Sequence, residues 1–280
     1  MDKSLKHNGE FVTINQHKIH IYRQGNMSNP KIVFMSGSGT VAPVYDFKIL
    51  YEKLISKYRV IVIEKFGYDY SDIFECPCDI DSLVSLQREA LEKVGEKGPF
   101  ILMPHSMSGL EAIRWKQKYP GDVIAIIGLD MATPITYKEW SHEDINKRIN
   151  AMRKIKKIKA LGLLSWYPLN RRGLNIDERK QQRLLWKRNG MNNCFINEAK
   201  AVMNNAIIVE ESGKIDCPTL LFVSNGKQVS PNWLDNQQEF AKRMKAKLVC
   251  LDCGHYIHYF KSDEMYQAII EFTDALFRNI

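Results

Sequence analysis

FILMPHSMSGLEAIRW, Phe100 to Trp115, is the stretch on which the reading of the fold turns. It opens as a short apolar run of the kind that forms a strand buried on both faces. From Ser106 to Tyr119 it takes up a helical pattern, carrying Leu110, Ile113 and Trp115, and ends before Pro120 as a helix should. Ser106 stands at the junction between the two.

The same rhythm continues on either side. KIVFMS (Lys31 to Ser36), RVIVIE (Arg59 to Glu64) and VIAIIGLD (Val123 to Asp130) are further compact apolar runs, and helical patterns lie between them over Val44 to Lys57 and Ile80 to Val94. This alternation predicts a mostly parallel, doubly wound α/β sheet, with its chemistry in loops at the carboxyl ends of the strands. In front of it FVTINQHKIHIYRQG alternates apolar and polar residues about Asn15 to His17, which predicts an antiparallel hairpin. After Asp130 the pattern lapses into helical, basic sequence, then resumes with TLLFVSN (Thr219 to Asn225), KLVCLD (Lys247 to Asp252) and a last helix from about Ser262. The expected organisation is a core of residues 1–133 and 207–280 interrupted by a helical insertion at 134–206.

A chain of 280 residues with 45% hydrophobic content has the length for one large domain or a domain with an insertion. It has no apolar run near the roughly 20 residues of a bilayer span, and MDKSLKHNGEFVT lacks the apolar centre of a signal peptide, so a cytoplasmic location is expected. Six cysteines are too sparse for a disulfide scaffold. The pairs Cys76/Cys78 and Cys250/Cys253 lack a zinc-knuckle context, so neither a metal nor a cofactor is expected. The net charge of +8 is concentrated, for Ile145 to Gly190 holds fourteen Lys or Arg against Asp177 and Glu178.

The chemistry-bearing residues fall in the expected loops. Ser106, on a strand-to-helix turn with small Ser108 and Gly109 behind it, has the outline of a nucleophile elbow, although Pro104 stands where the G-x-S-x-G pattern has its first glycine. A simple helix cap is the other role open to this serine, and the two are compatible, because a helix N-terminus also favours an anion formed there. SGSGT (Ser36 to Thr40) follows the first parallel strand, where an oxyanion loop would lie; Ser38 and Met107 are the candidate N–H donors, with Gly37 and Gly39 allowing close approach. A plain flexible turn is the alternative, while a phosphate loop would need a Lys-Ser/Thr ending that is missing. His255, just after the last strand, is the candidate general base, with His258 as its competitor. His7, His17, His20, His105 and His142 read as surface, hairpin, elbow-packing or insertion residues. The run NGKQVSP after the next-to-last strand offers Lys227 and no carboxylate, which leaves Asp130 as the candidate acid, or else a turn cap, with Asp252 and Asp235 as weaker substitutes.

Taken in order, SGSG, EKFGYDYSD, PHSMSG, GLDMATP and CGHYIH resemble the landmarks of the lidded α/β-hydrolases over nearly the whole chain. EKFGYDYSD is similar to the D-x-R-G-x-G-x-S-D loop of that family, and an acid after the earlier strand is similar to some lipases and dehalogenases. The resemblance implies the α/β-hydrolase fold with an inserted helical cap, and a serine hydrolase acting on an ester or related acyl bond of a small-molecule substrate. Dehalogenase chemistry is not implied, because that branch uses an aspartate nucleophile. Within the cap, Ile145, Ile149, Met152, Ile155, Ile158 and Leu161 form an apolar stripe opposite a basic face. A helix both amphipathic and basic suits an apolar face on the substrate cleft or a peripheral membrane contact through the basic cap, and a plainly solvated basic face is the alternative. Trp166, Tyr167 and Trp186 are expected to pack in the cap or line an acyl pocket. No nucleic-acid-binding module is recognisable. A different class stays open: a signalling protein that keeps the hydrolase pocket for ligand binding and turns it over slowly or not at all.

Overall fold

The computed structural model describes residues 5–163 and 169–278. Its centre is an eight-stranded sheet in the order β1-β2-β4-β3-β5-β6-β7-β8. The strands are β1 (Glu10–Ile14), β2 (His17–Gln24), β3 (Lys31–Met35), β4 (Arg59–Ile63), β5 (Phe100–Pro104), β6 (Val123–Leu129), β7 (Thr219–Val223) and β8 (Lys247–Cys250). The β1–β2 and β2–β4 pairs are antiparallel and the rest are parallel. The hairpin between β1 and β2 turns on Asn15 and Gln16, whose φ values of 50° and 66° are the two positive angles of a type I′ turn.

Strand alternation explains why the apolar runs are continuous. Val33, Met35, Ile61, Ile63 and Leu102 point to one face, under α3 (Ile80–Lys93), α4 (Ser108–Lys118) and α8 (Trp233–Met244). Ile32, Phe34, Val60, Val62, Ile101 and Met103 point to the other, under α2 (Lys48–Leu54) and α9 (Ser262–Arg278). With both faces covered, the middle positions of the central strands β3 to β7 are apolar, and polar residues such as Lys31, Arg59 and Thr219 stand at their first positions.

Two helices differ from expectation. The single helix expected over Val44 to Lys57 is split into α1 (Pro43–Asp46) and α2, with the fully buried Phe47 at the break. The helix after β5 starts at Ser108, because Ser106 takes a left-handed φ of 55° that a helix cannot contain.

Between β6 and β7 lie α5 (His142–Ala160), α6 (Ile176–Asn189) and α7 (Asn193–Glu211). Capping boxes at Ser141/Asp144 and Asn175/Glu178 start the first two. On α5 the apolar stripe is seated at Ile145 and Ile149 and emerges along the helix, until Leu161 just past its end is 74% exposed. Trp186 is buried, whereas Trp166 and Tyr167 lie outside the described residues. Among the described residues no helix is long and apolar enough to cross a membrane.

Candidate active site

The turn after β5 is built to present Ser106. His105 N–H donates to the Met35 carbonyl at 2.9 Å, and Ser108 Oγ–H reaches the same carbonyl at 2.8 Å, so the turn is tied to β3. The Ser106 carbonyl accepts from Gly109 N–H at 3.0 Å and from Ala132 N–H at 2.7 Å. Gly109 is needed there, since a Cβ at that position would lie 2.1 Å from the Ala132 carbonyl oxygen. Pro104 fits for a related reason. With His105 bonding toward β3, alternation turns the Pro104 nitrogen toward β6, where the regular pairs end at Leu102 with Ile126.

Opposite Ser106, the loop after β8 carries His255. Its Nε2 lies 2.9 Å from Ser106 Oγ, and its Nδ1 lies 2.6 Å from Asp130 Oδ2. A carboxylate can only accept, so Nδ1 carries the proton and Nε2 offers a lone pair to the serine hydroxyl. Asp130 is fully buried at the end of β6, turned by a φ of 48°, a conformation that Asp tolerates better than most side chains. Its second oxygen accepts from Ser224 N–H at 2.8 Å and Trp233 Nε1–H at 2.7 Å. The loop after β7, which offers no carboxylate of its own, thus supplies donors to the acid of the neighbouring strand. Gln228 Oε1 accepts from His255 N–H at 3.1 Å and holds the histidine loop in place.

The loop after β3 closes the third side. A Cβ on Gly37 would lie 2.6 Å from Ser106 Cβ and 2.8 Å from the His105 carbonyl oxygen, so only glycine allows this approach. Gly39 has a φ of 79°. Ser38 lies between these two glycines. Met107 forms the N-cap of α4, where its N–H is one of the first-turn donors that a helix cannot satisfy internally.

Of the alternatives, Asp252 is exposed and accepts from Asn225 Nδ2–H at 3.0 Å, and Asp235 is exposed on α8. His258 is fully buried and packs against Phe47, His105 and Tyr259. Burial, reinforced by the nearby His255, pushes its pKa down to about 3. His105, whose Nε2–H donates to the His255 carbonyl at 3.3 Å, is likewise held well below the ordinary histidine range by burial and then by His255. His142 is exposed at the start of α5. His20 sits elsewhere, in the hairpin and the loop after β4. There its Nδ1 meets Glu64 at 2.6 Å, and Glu64 also accepts from Tyr70 N–H and Ser71 Oγ–H, each at 3.1 Å. His20, Glu64 and Asp69 have potential ligand atoms within 4.8 Å of one another. The six cysteines are free thiols, Cys250 exposed and Cys253 partly buried.

A cavity of about 220 Å³ opens between the loop after β3, the insertion and the histidine loop, and Ser106 and His255 are not among its lining residues. Gly39 and Thr40 lie on one side and Tyr256, next to His255, on another, while Trp186 and Met191 come from the insertion. Sequence reading did not single out Trp233, Ser224, Gln228 or the polar lining of this cavity. Each acts through a contact with a residue distant in the chain and carries no local motif.

No protein-family model matches the chain. A curated relative in Bacillus subtilis (strain 168), described as "Uncharacterized protein YbdG", is 43% identical over 137 residues, a stretch that is 48% of this chain. The chain spans 42% of the length of that relative. Among solved structures, one described as belonging to the carboxylesterases of Nitrososphaera gargenis is similar at TM-score 0.72 and 20% identity, over 97% of this chain and all of that one. Cfl2 of Burkholderia cenocepacia is similar at TM-score 0.74 and 16% identity, over 94% and 95% of the two chains. A thioesterase domain from the curacin biosynthetic pathway is similar at TM-score 0.66 and 16% identity, over 94% of this chain and 99% of that one. With the strand order described above, these likenesses identify the α/β-hydrolase fold.

Proposed function

We propose that this chain is a serine hydrolase that cleaves an ester or related acyl bond through Ser106, His255 and Asp130. The observation that carries the reading is one continuous path, from Ser106 Oγ to His255 Nε2 at 2.9 Å and from His255 Nδ1 to Asp130 at 2.6 Å. Ser106 is also partly exposed, as a nucleophile must be.

In this mechanism His255 removes the Ser106 proton as Oγ attacks the carbonyl carbon. The oxygen that becomes negative is held by the Met107 and Ser38 N–H groups, with the N-terminus of α4 adding its partial positive charge. His255 then passes the proton to the leaving group. A water, deprotonated by the same imidazole, releases the acyl group and restores the serine. Asp130 holds the ring in the tautomer that this cycle needs and stabilises the imidazolium. Helices α5 to α7, which enter between β6 and β7 and bring Trp186 to the cavity, serve as a cap that limits substrate size. The chain's own residues suffice for every step.

The test is labelling with a fluorophosphonate probe together with turnover of p-nitrophenyl esters of short acids. The wild-type chain should take one label on Ser106 and turn over repeatedly, and Ser106→Ala should do neither. Labelling or turnover undiminished by Ser106→Ala removes the assignment. A wild-type chain that binds acyl ligands tightly but neither labels nor turns over would favour the ligand-binding, signalling class instead.

A further inference from the structure

The cavity lined by Gly39 and Tyr256, chain neighbours of Ser38 and His255, has polar groups that are incompletely satisfied. Gln182, on α6 and only 3% exposed, directs its amide nitrogen at two acceptors, the Asn170 carbonyl at 3.0 Å and Asp46 Oδ1 at 3.4 Å. Because both partners accept, the amide orientation is determined, and its oxygen is turned the other way. That oxygen is buried with no hydrogen-bond partner among the described residues, and so is Thr40 Oγ1, on a residue only 2% exposed. Both residues line the cavity together with Asp46. Asp46 accepts from Tyr259 Oη–H at 2.6 Å, and burial pushes its pKa up to about 6. Asn170 lies on the same wall with its Nδ2 buried and without a partner among the described residues, the rings of Tyr256 and Tyr259 line it too, and the other side chains, Trp186 among them, are apolar.

An unsatisfied buried polar group costs more than a typical hydrogen bond gains, and here two oxygens able to accept, Gln182 Oε1 and Thr40 Oγ1, share a wall with the Asp46 carboxyl and the single unpaired donor Asn170 Nδ2. We infer that this cavity binds substrate chains ending in a hydrogen-bond donor, a hydroxyl or an ammonium group, through Gln182, Thr40 and Asp46, in preference to plain alkyl chains. The volume of about 220 Å³ is below the roughly 300–1,000 Å³ of pockets for drug-sized ligands, so the group received is short. The inference names the substrate class for the serine-hydrolase reading and rests on that reading for the chemistry alone.

Binding can therefore be measured without turnover. The ligands are the N-methyl amides of hexanoic, 5-hydroxypentanoic and 5-aminopentanoic acids, equal in chain atoms, titrated by calorimetry into the Ser106→Ala chain. A donor-ended amide should bind at least about tenfold more tightly than the methyl-ended one, the scale of satisfying one buried group. That gap should close when Gln182→Leu is added and persist with Gln182→Glu, with the ammonium-ended ligand gaining most. Equal or tighter binding of the methyl-ended amide overturns the inference, and so does a gap that survives Gln182→Leu in a chain with a normal melting transition. If Gln182→Leu does not fold, the ranking with Gln182→Glu decides: no gain for the ammonium-ended ligand overturns the inference. Failure of the wild-type chain to take a fluorophosphonate label removes the hydrolase reading and leaves this binding result standing by itself.

Discussion

Trp233 donates its indole N–H to Asp130 Oδ1 at 2.7 Å, on the carboxylate oxygen opposite the one that meets His255. The acid at the end of β6 is therefore clamped by a helix that starts after β7. Gly226, at a φ of 75°, makes room for this, since a Cβ there would lie 2.9 Å from Trp233 Cβ. Trp233→Phe keeps most of the packing and removes one donor from a buried carboxylate. A fall of about tenfold in kcat with KM little changed is expected, the scale of one hydrogen bond to a charged group. Steady-state kinetics on a short ester checks it, and an unchanged kcat would show that the clamp is dispensable.

Asp130→Asn should be far more severe. An amide at this position can present a donor to Nδ1 and stabilise the wrong tautomer, leaving Nε2 protonated against Ser106. A fall in kcat on the order of 10⁴-fold is expected on the proposed mechanism, the scale for a triad deprived of its acid. A loss below about tenfold would move the orienting role to another residue.

Gly37→Ala tests the approach of the loop after β3. The new Cβ would stand 2.6 Å from Ser106 Cβ, and neither that atom nor the His105 carbonyl can rotate away. The loop or the elbow has to shift, and displacement of the candidate donors by even about 1 Å costs on the order of 100-fold in rate. Slow fluorophosphonate labelling with a lowered Tm is the expected pair of readings, and labelling at the wild-type rate contradicts it.

Lys65 is a buried cation whose Nζ lies 3.0 Å from Glu111 on α4 and 2.8 Å from Glu198 on α7, with all three side chains at most 4% exposed. It joins the helix behind the elbow to the insertion. Lys65→Met leaves two buried carboxyls facing each other without a cation and should destabilise the chain by about 3–5 kcal/mol in urea unfolding. Adding Glu111→Gln and Glu198→Gln should recover most of that loss. A single variant as stable as the parent would show that the cluster contributes nothing.

His258 sets a pH dependence of stability. It is neutral in the folded chain down to about 3, whereas in the unfolded chain it takes a proton below its ordinary 6.5. Between those values the unfolded state binds more protons, so the His258 contribution to stability is intact above about 6.5 and is lost as pH falls toward 3. His258→Phe should flatten this limb of the Tm-against-pH curve, and an equally steep limb in the variant would place the effect elsewhere.

Much of this was written in local sequence. An uninterrupted run such as Ile32 to Met35 is apolar because both sheet faces are covered, and that requirement leaves its mark on every residue of the strand. Likewise the positions of Ser106 and His255, each directly after a strand, follow from the alternation of strands and helices. The split of α1 from α2 was not legible, because the break at Phe47 depends on burial against distant residues rather than on a helix breaker.

Which carboxylate meets His255 could only be decided in three dimensions. Asp130 and Asp252 stand just past strand ends, and Asp235 stands in the first turn of α8. Strand order, with β6 beside β7 and β7 beside β8, brings the first within 2.6 Å of the imidazole and leaves the other two exposed. The same holds for the indole of Trp233 and the amide of Gln182, separated from their partner Asp residues by 103 and 136 positions. Apolar patterning is a property of neighbours along the chain and can be read there. A hydrogen bond between distant side chains exists only once the sheet has set their distance and direction.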